Sequence, residues 1–87
     1  MNSNPRVTLY TRVRCHLCDV AKEVIDTVRL DRAFDLDVID IDTDPGLVAK
    51  YGTEVPVILV NGRKAFKYRV EPAALREQLD RGGEMAS

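Results

Sequence analysis

Eighty-seven residues, 45% of them hydrophobic and 31% charged, suit one compact soluble domain with a modest core and argue against wholesale disorder. Thirteen Lys plus Arg against fourteen Asp plus Glu leave a net charge of -1, without the basic excess usual in nucleic-acid binders. The longest apolar stretch, Val55 to Val60, falls far short of the ~20 residues that span a membrane, so neither nucleic acid nor membrane is an expected partner.

Read in chain order, Pro5 precedes an alternation of Val7 and Leu9 with Thr8 and Tyr10, which predicts a strand over Arg6 to Thr11. The period then changes. Leu17, Ala21, Val24, Ile25 and Val28 recur at helical spacing, with Asp19, Lys22, Glu23 and Asp26 on the opposite face. Phe34, Leu36 and Val38 next alternate with aspartates before the phase slips to Ile39 and Ile41, which reads as a second strand whose later half is covered on both faces.

Asp44-Pro45 supplies an N-cap and a proline at the first helical position, and Gly52 after Tyr51 marks a C-terminal stop, so a short helix lies between them. Pro56 opens the run Val57-Ile58-Leu59-Val60, a buried strand, and Asn61-Gly62 is a favoured two-residue hairpin turn. Arg63 to Tyr68 returns as its partner, with Lys64, Phe66 and Tyr68 alternating with Arg63, Ala65 and Lys67, and its basic content suits a sheet edge. Glu71-Pro72 begins a last helix carrying Leu75 and Leu79, which Gly82-Gly83 ends, leaving a frayed tail.

The expected fold class is therefore α/β, in the order β-α-β-α-β-β-α. A four-stranded mixed sheet is flanked by three helices in a single domain spanning the chain, with its core over about 6–81. The helix between the first two strands makes them a parallel pair, and the hairpin makes the last two antiparallel.

The N-terminus, Met1 to Arg12, has no apolar core of the signal-peptide kind, so a cytoplasmic location is expected. In that reducing setting the only two cysteines, Cys15 and Cys18, are more suited to catalysis or metal binding than to structure. The pair stands where the first strand gives way to the first helix. Unpaired N–H groups and the partial positive charge of a helix N-terminus favour a thiolate at Cys15, and Arg12 and Arg14 push the same way. Cys18, one turn on, is within reach of Cys15. The arrangement suits a two-step exchange, in which Cys15 attacks a partner disulfide and Cys18 resolves the mixed disulfide. His16 and Leu17, between the cysteines, can tune the redox poise, each ~30 mV corresponding to ~1.4 kcal/mol.

Two other readings use the same residues. Cys15, Cys18 and His16 are too few for a closed mononuclear zinc site, but two chains could share an iron–sulfur cluster with two cysteines from each. A redox-inert binding module could also keep the cysteines as packing residues.

The stretch Leu9 to Cys18 resembles the active-site segment of glutaredoxins, in which a strand ending in Tyr-Ser/Thr-Lys leads to Cys-Pro-Tyr-Cys. Thr53-Glu54-Val55-Pro56 resembles their Thr-Val-Pro segment. The similarity covers about Val7 to Leu79, and the Cys-His-Leu-Cys form resembles that of short bacterial glutaredoxin-like proteins with a Cys-x-Leu-Cys centre. Thioredoxin itself fits less well, having a Trp before the pair and a longer chain.

This resemblance implies a thioredoxin-like fold, a thiol-disulfide oxidoreductase or electron carrier, Cys15 as attacking thiol and Cys18 as resolving thiol. It further implies that Pro56 is cis, that the Val55 backbone pairs with an incoming cysteinyl peptide, and that Arg12 faces a glutathione carboxylate. The substrate-binding residues expected on this basis are Arg12, His16, Leu17, Val55 and Pro56. No bound cofactor and no metal ligand are expected, since the cysteine pair is itself the redox centre. The expected partners of a monomer are a disulfide-containing protein, glutathione, or both, with a reductase as a further candidate. The segment Lys67-Tyr68-Arg69-Val70-Glu71-Pro72 lacks the glycines with which glutaredoxins hold glutathione, so that binding motif is incomplete.

Two further patterns carry no site. Asp40, Asp42 and Asp44 alternate as in a calcium loop, but Pro45 and Tyr51 occupy the positions that need Gly and Glu, so they read as solvent-facing strand positions and a helix cap. Arg63, Lys64, Lys67 and Arg69 form a basic cluster that reads as a solvated edge able to meet an acidic surface.

Overall fold

A computed structural model describes residues 4–82 of the chain. Gly83 and the tail at residues 84–87, expected to stop the last helix and to fray, lie outside the described residues. Strand β1 (Arg6–Thr11) leads into helix α1 (His16–Arg29), and strand β2 (Asp35–Asp40) into a 3-10 turn (Ile41–Thr43) and helix α2 (Pro45–Tyr51). Strands β3 (Val57–Val60) and β4 (Arg63–Lys67) form the hairpin, and helix α3 (Pro72–Gly82) follows. The element order is the one read from the sequence.

The sheet runs β2-β1-β3-β4. Strand β1 is parallel to β2 and antiparallel to β3, and β3 is antiparallel to β4. Because side chains alternate along a strand, the sheet separates two cores. On one face Val7, Leu9, Ile58 and Val60 pack with Ala21, Ile25 and Val28 of α1 and with Leu75 and Leu79 of α3. On the other, Val57 packs with Ile41 and Tyr51, and Tyr10, Leu47 and Leu59 close the cluster around α2. Fully burying a Val, Leu or Ile side chain contributes ~1.5–3 kcal/mol, and Val7, Ile25, Val28, Ile41, Val57, Ile58 and Leu75 are all at 0% exposure, so these two layers hold the sheet between its helices.

The local signals act as their chemistry dictates. The Asp44 carboxylate accepts from the Gly46 amide at 2.8 Å, capping α2 with Pro45 in its first turn. Asn61 and Gly62 both have positive φ, 53° and 83°, as a tight hairpin turn between right-twisted strands requires. Gly52 ends α2 for a different reason. Its φ is an ordinary -55°, but a Cβ there would stand 2.5 Å from the carbonyl oxygen of Val48.

Three expectations are corrected. The later half of β2 is not covered on both faces: β2 is an edge strand, Val38 is 48% exposed and Ile41 has left the strand for the 3-10 turn. In the hairpin, Ile58 faces Phe66 while Leu59 faces Lys64, so Ala65 is an extra residue. This bulge breaks the expected alternation and lets Ala65 and Phe66 both pack against the core under α1 and α3. Tyr68 lies beyond the end of β4, at φ 69°, rather than in the strand.

Candidate active site

Cys15 and Cys18 form a disulfide with Cα atoms 5.2 Å apart. The chain leaves β1 through a turn in which Arg14 takes a left-handed φ of 63°, then enters α1 with Cys15 as its N-cap. Cys15 is extended there, and its Sγ accepts from the amide of Cys18 at 3.2 Å. It thereby meets one of the donors that every helix start leaves unpaired. The two sulfurs sit in different surroundings: Cys15 is half-buried, whereas Cys18 is only 2% exposed, in the core under α1.

The antiparallel register of β1 and β3 pairs Tyr10 with Val57. β3 begins at this pair, so Val55 and Pro56 stand just before it, at the end of the sheet where β1 leads into the cysteine turn. The Val55–Pro56 peptide bond is cis. Among the described residues, neither the N–H nor the C=O of Val55 is hydrogen-bonded, and the side chain is half-buried. The carbonyl of the buried Pro56 accepts from the amide of Tyr68 at 2.8 Å, so the segment after β4 reaches the same end of the sheet. Three chain segments therefore meet there: the cysteine turn, the proline turn and the start of the Tyr68–Pro72 connection.

Arg12 takes a different course from a free cation beside the sulfurs. Its Nη2 and Nε donate to the Asp42 carboxylate at 2.7 and 3.3 Å, and Nη1 donates to the Gly52 carbonyl at 3.2 Å. The hydrogen bond and charge of Asp42 hold the guanidinium above its usual pKa. Arg12 thus straps the end of β1 to the 3-10 turn and to the end of α2. A comparable strap lies at the proline turn, where Lys64 of β4 pairs with Glu54 and lies 6.0 Å from the ring of Tyr51. Tyr51 itself stacks on Tyr10, with centroids 4.7 Å apart.

Beside the disulfide runs an open groove of about 480 Å³, between α1 and the Tyr68–Pro72 segment. His16 and Leu17 line its end nearest the cysteines. The structure thus brings His16 and Leu17 together with Val20 and Val24, which sequence reasoning did not connect with a site, and with Tyr68 and Arg69 of the segment whose counterpart in glutaredoxins holds glutathione. Leu17 is 40% exposed, so it belongs to the groove and not to the buried stripe of α1, where Cys18 takes the corresponding place. A signal was present in Val20, an apolar residue off the core-facing stripe, but it has meaning only once the segment opposite is known.

No helix among the described residues is long and apolar enough to cross a membrane. None of the described residues forms a group of three or more His, Cys, Asp or Glu able to hold a metal ion.

Known proteins resemble this chain over most of its length. The uncharacterized protein Rv0508 of Mycobacterium tuberculosis (strain H37Rv) is 33% identical over 84 residues, covering 91% of this chain and 87% of that protein. Among solved structures, the Northeast Structural Genomics target protein XcR50 from X. campestris superimposes with a TM-score of 0.71 at 38% identity, covering 86% of this chain and 96% of that one. A mutant thioredoxin from Halobacterium salinarum superimposes with a TM-score of 0.68 at 18% identity, over 91% of this chain and 74% of that one, a likeness of fold alone. The fold is thioredoxin-like. The sequence pattern of the Glutaredoxin-like domain (DUF836) family matches residues 6–80, from the first residue of β1 into the last turn of α3, and the chain belongs to that family.

Proposed function

We propose that this protein is a cytoplasmic thiol-disulfide oxidoreductase whose redox centre is its own Cys15–Cys18 pair, with Cys15 as nucleophile and Cys18 as resolving thiol. The observation that carries this reading is the asymmetry of the pair. Cys15 caps α1 and accepts the Cys18 amide, while Cys18 is buried one turn along. Once the disulfide is reduced, that amide and the partial positive charge of the helix start favour a thiolate at Cys15. The burial of Cys18 leaves Cys15 as the sulfur that a partner meets. The unpaired N–H and C=O of Val55 support the reading further, because an extended cysteinyl segment could take them up in strand fashion.

The step balances without a bound cofactor. The Cys15 thiolate attacks one sulfur of a partner disulfide, and the other partner sulfur leaves as a thiolate. Deprotonated Cys18 then attacks Cys15, releasing the second partner sulfur and closing the Cys15–Cys18 bond. The partner gains two electrons and this protein loses two. The test is a thiol count by mass after equilibration in a graded series of glutathione redox buffers. We expect both alkylation tags to be lost together over a defined window. Two thiols that stay taggable at every poise would overturn the proposal.

A further inference from the structure

We propose that the groove beside the disulfide takes an extended segment of a partner protein in which an apolar side chain stands two or three residues from the reacting cysteine and a carboxylate lies close by. The inference rests on the exchange reading above and adds what the partner must look like.

Three observations carry it. First, Leu17, Val20 and Val24 form a stripe along α1 that faces Tyr68 and Pro72 across the groove. Leu17, Val20 and Tyr68 remain 40%, 43% and 44% exposed, a cluster of large apolar side chains in water next to the sulfurs. Second, the stripe has a length. The seven steps from Leu17 to Val24, at ~1.5 Å each, span about 10 Å, which an extended chain at ~3.3 Å per residue covers in about three residues. The 480 Å³ groove has room for large side chains at that distance from Cys15.

Third, the groove carries a cation without a partner. Arg69 lines it, and Arg69 has no ion-pair partner among the described residues, whereas Arg6, Arg12, Arg32 and Arg76 are all paired. Glu71 is the one acid lining the groove and is not paired with it. Glutathione has carboxylates for such a cation but no apolar side chain to cover the stripe. A cysteinyl segment with both features fits the whole groove.

The test compares two short peptides, each with one Glu and one Cys. Leu stands two residues to either side of the cysteine in one, and Ser in the other. Each is presented to the fully reduced protein as its mixed disulfide with 5-thio-2-nitrobenzoate, whose release is timed. Burying one Leu-sized side chain predicts a preference for the Leu peptide of roughly tenfold or more. The preference should fall to within about threefold in Val20→Ser and in Tyr68→Ser, both at exposed positions. Replacing the peptide Glu by Lys should slow exchange, most at low ionic strength. Equal rates for the two peptides, or a preference unchanged in both variants, would overturn the proposal, and faster exchange of the Lys peptide would overturn its charge requirement.

Docking is also read without chemistry, from the backbone amide shifts of Val20, Val24 and Arg69 in the oxidised protein on adding the S-methylated Leu peptide. If no disulfide is exchanged at all, the oxidoreductase reading fails, and these shifts alone uphold or overturn the groove. S-methylglutathione moving the same amides at equal or lower concentration would overturn the assignment to a protein segment.

Discussion

The backbone amide of Cys18 donates to the Sγ of Cys15 across 3.2 Å, so the residues joined by the disulfide are joined a second time by the cap of α1. The cap needs only the sulfur and the amide, so it should survive reduction. Cys15 is then expected to keep its place at the helix start, with Cys18 beneath it. In the reduced protein one equivalent of iodoacetamide should go to Cys15, at a rate roughly tenfold or more above that of Cys18. Cys18→Ser should accumulate a mixed disulfide with a disulfide substrate, and Cys15→Ser should not. Peptide mass mapping reads both outcomes, and a label that lands first on Cys18 would reverse the assigned roles.

Two glycines are required for opposite reasons, and substitution separates them. Gly52→Ala keeps a permitted backbone but drives a methyl group against the Val48 carbonyl, 2.5 Å away, so it should cost about 1–3 kcal/mol by overpacking. Gly62→Ala meets nothing within 4 Å but forces Ala to φ 83°, costing roughly 1–2 kcal/mol. In a domain of this size each kcal/mol lowers Tm by roughly 4–8 °C. Asn tolerates the left-handed region, so Gly62→Asn should recover much of the loss. Gly52→Asn should recover none of it, and equal recovery at both positions would contradict this division.

The Glu54–Lys64 pair gives a pH dependence of known sign. The hydrogen bond from Lys64 holds the Glu54 carboxyl below its usual range, against partial burial, which pushes it upward. The same bond to Glu54 holds Lys64 above its usual value. A carboxylate with a depressed pKa adds stability above its unfolded value of ~4.3 and loses it as pH falls through the lower folded value. A lysine with a raised pKa adds stability below ~10.4 and loses it as pH rises through the higher folded value. The pair should thus be intact across neutral pH and open at both extremes. A carbon-detected titration of the Glu54 carboxyl should show a midpoint below the ordinary Glu value, and Lys64→Met should move it up. A midpoint that ignores the substitution would place the cause elsewhere.

What could be read from residues alone was local chemistry. The alternation of Val7 and Leu9 with Thr8 and Tyr10 marked β1 to its ends, because one strand has two faces with different neighbours. Asp44-Pro45 and Asn61-Gly62 announced a helix start and a hairpin, because each acts within three or four residues. The cysteine pair was legible for the same reason, being a strand end, a helix start and two sulfurs one turn apart. Pro56, by contrast, was expected to be cis only through resemblance to a known segment, since most X–Pro bonds in folded proteins are trans.

The remainder depended on which distant segments came to lie together. Val38 looks like a core residue until β2 is seen at the sheet edge. Ala65 looks like one member of an alternation until the bulge turns it and Phe66 toward the same core. Arg12 stands three residues before Cys15 in sequence, yet its partners are Asp42, 30 residues away, and Gly52, 40 residues away. Leu17 and Val20 become the wall of a groove only because Tyr68 and Pro72 are brought opposite them. Local chemistry was enough for the element order and for the position of the cysteine pair, since caps, turns and period are set within one or two turns of chain. What surrounds that pair came from long-range packing, because burial, ion pairing and groove shape are properties of neighbours that the chain supplies from dozens of residues away.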